Sequence, residues 1–226
     1  MARAKRTIIL GDYDTAAHGL WTLTAWEFPE PAPVENLVQV PGRIQGPLDL
    51  STALTGGEPR YGARSLSVTL ESSEGTREAR AARISDMVNR LHGQRLQIIL
   101  PDHPNHYAVG RLSVRMLYND LAHASVEVLG TCEPWLYARV ETSVPLHATT
   151  GEQQVTLRNS GAMPVVPLVI VSGTDAAFML RYGANSWTLS AGDYKLPALR
   201  LTPGPHVVTF SGSGYAAITY REAVLR

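Results

Sequence analysis

The sequence predicts a mainly β protein. We expect an N-terminal β-barrel or sandwich with one flanking α-helix, followed by a C-terminal antiparallel β-sandwich. Three observations support this: most of the chain alternates apolar and polar residues with period two, only one segment has helical spacing, and the strands become short with frequent turns after about residue 140. Alternation with one wet face is typical of antiparallel sheets, whereas parallel strands read as continuous apolar runs.

Three segments alternate most clearly. They are RSLSVTLE, AVGRLSVRM and AHASVEVLG, with predicted buried sides of Leu66, Val68 and Leu70, of Leu112, Val114 and Met116, and of Ala122, Ala124, Val126 and Val128. Each is expected to be a strand with its other side in water.

The helical segment runs from about residue 76 to residue 92. Its apolar residues recur at the spacing of one helical face, and they are Ile84, Met87, Val88 and Leu91. The preceding SSEG offers capping hydroxyls, and Gly93 suits the left-handed residue that ends a helix. Four arginines, Arg77, Arg80, Arg83 and Arg90, form a predicted basic outer side. That side is either solvated or faces an acidic neighbouring subunit or nucleic acid.

A long segment rich in Pro and Gly, residues 27–59, predicts an excursion with at most a short strand near Leu37 to Val40. Loops of this length in compact domains are usually functional or interaction segments. The alternative is a floppy insertion.

The change of pattern near residues 137–144 predicts two domains, residues 1–138 and 139–226. In the second, turns at Gly183–Asn185 and at Ser211–Gly214 predict two hairpins. Its aromatic residues are either sandwich core or a sugar-stacking surface, and they are Phe178, Tyr182, Trp187 and Tyr220.

Composition excludes several classes of protein. Lysine plus arginine equals aspartate plus glutamate at 20 each, so the chain lacks the basic excess of a dedicated nucleic-acid binder. The one cysteine, Cys132, excludes an internal disulfide framework. We expect a soluble protein without an export signal, because the apolar run after MARAKRT ends within three residues and no stretch is long enough to span a membrane.

No enzymatic constellation is predicted. The loop with Asp102, His103, Asn105 and His106 lacks zinc-finger or HExxH spacing and is interpreted as connective. Cys132 is expected to be a small buried apolar residue, and Asp12 and Asp14 to solvate a loop. We therefore predict no catalytic, cofactor-binding or metal-binding residues and no cofactor. A hydrolase with an unrecognised site is the remaining enzymatic alternative.

Several stretches, taken in order, resemble the distal tail (Dit) family of long non-contractile-tailed phages. They are VPGRIQGPLDLSTALTGGEPRYGARSLSVTLE, LHGQRLQIILPDHPNHYAVGRLSV, VEVLGTCEPWLYA, VTLRNSGAMPVVPLVIVSG and AAITYREAVL. Each motif is short, but their shared order covers about residues 40–225. The first 35 residues match least.

The resemblance implies a structural protein of the virion, at the phage tail tip, assembled in the host cytoplasm. Its N-terminal domain would build a hexameric ring around the DNA channel, and its C-terminal domain would be a galectin-like sandwich facing outward. The implied partners are further copies of the chain, including stacked rings, the tail tube protein, the tip fibre protein and a receptor-binding protein. DNA would be present only in transit, and no membrane would be involved.

Two surfaces follow from these expectations. The ring interface is predicted to include Arg43, Asp49, Arg60, Tyr61 and Arg64. A function of another class, a carbohydrate-binding accessory module, would use the second domain, with Trp187 on its glycan surface.

Overall fold

The computed structural model describes residues 7–42 and 46–226, and the chain forms two compact units. The first unit extends to Pro134 and includes Leu225–Arg226, whereas the second comprises Trp135–Val224. The sequence did not predict the return of the last two residues to the first unit. The predicted fold class, mainly β with antiparallel sheets and a β-sandwich, is confirmed.

The first unit is a curved antiparallel sheet with one long helix. Its elements are β1 (Ile9–Leu10), β2 (Tyr13–Asp14), α1 (Thr15–Gly19), β3 (Thr22–Glu27), β4 (Leu37–Val38), β5 (Leu48–Asp49), β6 (Arg64–Ser72), α2 (Arg77–Leu91), β7 (Arg95–Ile99), β8 (His106–Asn119) and β9 (Ala124–Cys132). The strands of the sheet follow the order β2-β1-β7-β8-β9-β6-β3, and β4 pairs only with β5.

The helix that the periodicity predicted is confirmed as α2. It packs mainly on β8 and buries Ile84, Met87 and Leu91 against the sheet, while Val88 is only half-buried. The cap is Thr76, whose hydroxyl accepts a hydrogen bond from the Ala79 amide (Oγ1–N 3.3 Å). The short helix α1 was not predicted.

Arg80 is a correction to the predicted basic outer side of the helix. Its side chain is buried, because position 80 lies four residues before Ile84 and therefore belongs to the buried stripe. The guanidinium donates to the carbonyls of Gly75 (2.6 Å), Asp120 (2.8 Å) and Leu121 (3.0 Å). A buried arginine is tolerated at this position because main-chain oxygens replace its water.

Met116 and Ala122 are exposed, although the alternation predicted that both are buried. Met116 is exposed although it still pairs with the buried Val126, and a bulge between Met116 and Tyr118 then shifts the register of β8 against β9. Ala122 lies in the exposed turn that follows β8, before β9 begins.

The second unit is a sandwich built on two long, bent strands. Its elements are β10 (Leu136–Ala138), β11 (Thr142–Ala148), β12 (Gln153–Asn159), β13 (Leu168–Tyr182), β14 (Asn185–Leu189), β15 (Gly192–Lys195), β16 (Gly204–Tyr220) and β17 (Ala223–Val224). The two long strands, β13 and β16, pair with each other on both sides of a register shift. On one side of the shift β11 and β15 flank them, and on the other β12 and β14 do so. One core includes residues from both halves, with Phe178 and Phe210 stacked at 5.8 Å between ring centroids.

The predicted hairpin at Ser211–Gly214 is wrong, because β16 continues through it as one strand. Gly212 (φ +107°) and Gly214 (φ +102°) bend the strand instead of reversing it. The first predicted hairpin is confirmed: Tyr182 pairs with Asn185 across a two-residue turn in which Gly183 has φ +58°.

Candidate functional site

The Pro- and Gly-rich excursion forms an arm, which we define as residues 32–62. At its root the Val34 amide donates to the Arg60 carbonyl (2.8 Å) and the Gly62 amide to the Ala32 carbonyl (2.8 Å). Further out, β4 and β5 pair as a ribbon with two residues in each strand. Every residue from 32 to 42 is exposed. The arm therefore has a defined root and little contact with the rest of its unit.

The arm carries exposed apolar side chains. They are Val34, Leu37, Val38, Val40, Leu48 and Leu54, of which Leu54 is 91% exposed. An isolated two-stranded ribbon is at best marginally stable in water, and contiguous exposed apolar residues mark interaction sites. The arm thus has the composition of a segment that another protein surface covers.

Arg64 anchors the chain where it enters the arm. Its buried guanidinium donates to the carbonyls of Pro29 (Nε–O 2.7 Å) and Phe28 (Nη2–O 3.2 Å), and it lies 3.8 Å from the centre of the Phe28 ring. Burial lowers the pKa of the guanidinium. Five N–H donors in one plane allow an arginine to bind several carbonyls at once, which a lysine cannot do.

The five residues predicted for a ring interface divide into three groups. Arg43 lies outside the described residues. Asp49, Arg60 and Tyr61 lie on the arm. The pKa of the Asp49 carboxyl is lowered, mainly by the Ser51 side chain and secondarily by the Ser51 amide, which donates a hydrogen bond to the carboxyl (2.8 Å). Arg64 is buried and donates to the carbonyls of Phe28 and Pro29, which lead into the arm.

A second exposed apolar surface, missed from the sequence, lies at the β8–β9 end. We define it by Met116, Leu117, Tyr118 and Leu121, of which Leu121 is 89% exposed. The hydrogen bonds from Arg80 to the carbonyls of Asp120 and Leu121 fix this turn. In the sequence Leu121 follows Asn119 and Asp120, two polar residues that indicate a solvated turn. Only the observed fold shows that the leucine side chain is itself exposed to water there.

The sheet of the first unit has one wet face, opposite its apolar side. Cross-strand rows place Ser67 beside Leu129 and Ser113, and Thr69 beside Glu127 and Arg115. Arg115 forms an ion pair with Glu127 on this face. Glu27, which pairs with Ser67, and Glu71 lie on the same side. The face is rich in hydroxyls, and its carboxylates balance its arginines.

The histidine loop forms successive turns. The His103 amide donates to the Leu100 carbonyl and the His106 amide to the His103 carbonyl, each at 3.0 Å. Burial, and secondarily the neighbouring His106, lowers the pKa of His103. Within residues 7–42 and 46–226, no group of three His, Cys, Asp or Glu side chains is placed to hold a metal ion.

Cys132 is buried at the end of β9. A Cβ built on Gly110, its partner in β8, would lie 2.4 Å from the Cys132 sulfur, so the thiol fills the space that this glycine leaves. Burial raises the pKa of the thiol to about 11. The thiol is therefore protonated at neutral pH, whereas a nucleophilic cysteine must ionise.

In the second unit the predicted aromatic surface is mostly interior. Phe178 and Tyr220 are core residues, and Tyr182 and Trp187 pack against that core while partly buried. The exposed aromatic residue is Tyr215, which is 59% exposed and stacks on His147 with 4.5 Å between ring centroids. Trp187, the residue predicted for a glycan surface, is thus partly buried and packs against the core.

None of the helices in the described part of the chain is long and apolar enough to cross a membrane. No family model matches the sequence, and no curated protein matches it.

A helix-bearing antiparallel sheet followed by a sandwich on two bent strands is also the fold of a phage hub protein of known structure. That protein is SPP1 Dit (gp 19.1), described as a paradigm of the hub adsorption apparatus in phages that infect Gram-positive bacteria. The TM-score is 0.67, the identity is 16%, and the match covers 96% of this chain and 98% of that one. The resemblance to the Dit family is thus confirmed for the fold.

Proposed function

We propose that the protein is a structural component of a phage tail tip. Its copies form a closed ring, a hexamer, that joins the tail tube to the tip and receptor-binding apparatus and surrounds the DNA channel. The support from comparison is the shared fold with the SPP1 hub protein. The observation on this chain that carries the proposal is the arm, with its exposed apolar side chains and its rigid root.

The placement of the two apolar surfaces suits ring closure. Arg64, at the arm root, begins β6, and Ser72 ends it beside Ala124, next to the β8–β9 end. Nine residues of strand separate the arm root from the β8–β9 end by about 26 Å along β6. Two separate contact surfaces on one subunit support head-to-tail contacts, and such heterologous contacts close into a ring when the rotation between subunits closes.

The wet face of the sheet is the surface we assign to the channel. Its hydroxyls offer no fixed positive charge to phosphates, and Arg115 is neutralised by Glu127. Affinity for duplex DNA depends on unpaired cations that displace counterions. A face of balanced charge lets DNA pass without holding it.

The proposed role requires no catalysis. Cys132 is protonated, and the two histidines of the loop at 103–106 lie in a turn held by main-chain hydrogen bonds. We expect alanine at His103, His106 and Cys132 to leave assembly intact.

Multi-angle light scattering of the purified chain at high concentration tests the ring. We expect a particle of six times the 24.6 kDa chain. The double variant Leu37→Asp, Leu54→Asp should shift the population to single chains, because charges on the arm oppose its burial. The matched control is Val140→Asp, an exposed apolar position in the second unit, which should still form rings. A wild-type protein that stays a single chain at high concentration would refute the proposal, as would rings that survive the double variant.

The second candidate function, glycan binding by the second unit, is favoured by the exposed stacking of Tyr215 on His147. Aromatic faces open to solvent are surfaces on which sugars stack. A glycan array with the wild-type chain and with Tyr215→Ala tests it. Signals that vanish in the variant would support glycan binding, and an array without signals would exclude it.

A further inference from the structure

Arg64 contacts a further segment of the chain besides Phe28 and Pro29, the residues that lead into the arm. Its Nη1 donates to the carbonyl of Leu225 at 2.8 Å, and, at 3.4 Å, to that of Pro134. A single guanidinium thus joins strand β6, the entry to the arm and the segment 225–226, and Leu225 lies 161 residues after Arg64 in the sequence. The acceptors are all main-chain carbonyls, so the contact depends on where the backbone runs.

A second contact joins the same segments independently. Arg226 forms an ion pair with Glu30 (Nη1–Oε1 2.8 Å), one residue after Pro29. Both side chains are exposed, and an exposed pair contributes little to stability. The pair therefore adds orientation, and the buried guanidinium supplies most of the binding.

We propose that Leu225 and Arg226 act as a strap that holds the root of the arm through Arg64 and so sets the direction in which the arm leaves the sheet. With the strap in place, the carbonyls of Phe28, Pro29 and Leu225 converge on one guanidinium. Without the strap, Arg64 loses the Leu225 carbonyl as an acceptor. Water then competes with the carbonyls of Phe28 and Pro29 for the hydrogen bonds of the guanidinium. The strap is a positioning device for the assembly surface, and in this respect it rests on the proposed function.

Hydrogen exchange at the arm root tests the strap whether or not rings form. The amides of Val34 and Gly62 are the reporters, because their bonds to Arg60 and Ala32 close the root. In a chain of residues 1–224, these amides should exchange about tenfold faster, the effect of losing one hydrogen bond to a charged group. Exchange in β9 should stay unchanged.

Two variants separate the buried contact from the exposed one. Arg64→Lys, whose ammonium cannot reach all three carbonyls, should match the effect of the shortened chain. Glu30→Gln should raise exchange less than about twofold. The matched control is Glu152→Gln, which removes an exposed pair with Arg181 in the second unit and should not change the arm.

The outcomes distinguish the strap from the ring. Wild-type exchange at Val34 and Gly62 in the chain of residues 1–224 would overturn the strap even if rings form. Faster exchange at these two amides would support the strap even if neither the wild type nor any variant forms a ring. The absence of rings would then refute the proposed function but not the strap. Should Arg64→Lys fail to fold, the shortened chain still decides.

Discussion

The guanidinium of Arg80 donates to the main-chain carbonyl of Leu121 at 3.0 Å while the Leu121 side chain is 89% exposed. A buried charge and an exposed leucine are each unfavourable alone. Together they hold a turn in a fixed shape and keep an apolar side chain in water. Such a combination is expected where another surface covers the leucine.

Replacing Arg80 by leucine should destabilise the first unit. The substitution leaves the carbonyls of Gly75, Asp120 and Leu121 without their donor, at a cost of about 2–4 kcal/mol in the free energy of unfolding. Urea unfolding measures it. The control is Arg77→Leu, which replaces an exposed arginine at the first residue of the same helix. It should cost less than about 0.5 kcal/mol in the free energy of unfolding. Equal effects of the two substitutions would show that the buried network contributes nothing.

The helix face gives a graded prediction. Leu91 is fully buried, so Leu91→Ala should cost about 3 kcal/mol in the free energy of unfolding. Val88 is half-buried, so Val88→Ala should cost about 1 kcal/mol, less than its place in the periodic pattern predicts. Urea unfolding of both variants provides the comparison. A larger loss for Val88→Ala than for Leu91→Ala would contradict the observed packing.

Periodicity predicted the fold class, the long helix and several strands because burial of one side of an element leaves a direct trace in the sequence. The pattern did not predict that Arg80 is buried, because a charged residue indicates an exposed position only where no protein groups replace the water around its charge. It failed at Ser211–Gly214, because glycines with positive φ permit both a tight reversal and a bend within one strand. The arm was predicted as an excursion, but its exposure and its root at Arg64 depend on contacts between segments far apart in the sequence.

The bend of β16 makes Gly212 sensitive to substitution. A Cβ there would lie 2.0 Å from the Ala177 carbonyl oxygen, and φ is +107°. Gly212→Ala should therefore destabilise the second unit by more than about 2 kcal/mol, which hydrogen exchange of β13 and β16 would detect. Gly151→Ala is the control, because nothing lies within 4 Å of a Cβ at Gly151. Unchanged exchange in Gly212→Ala would mean that the strand does not bend as described.

Cys132 predicts a loss of stability at alkaline pH. Its pKa is raised by burial from 9.0 to about 11 in the folded state, so the folded chain keeps its proton at a pH where the unfolded chain has lost it. The stabilising contribution is complete below pH 9 and decreases as the pH rises towards about 11. Urea unfolding at pH 8 and pH 10, compared with the same pair for Cys132→Ala, isolates the contribution of the thiol. The wild type should lose more stability than the variant between the two pH values, and equal losses would show that the thiol ionises as readily in the folded chain as in the unfolded one.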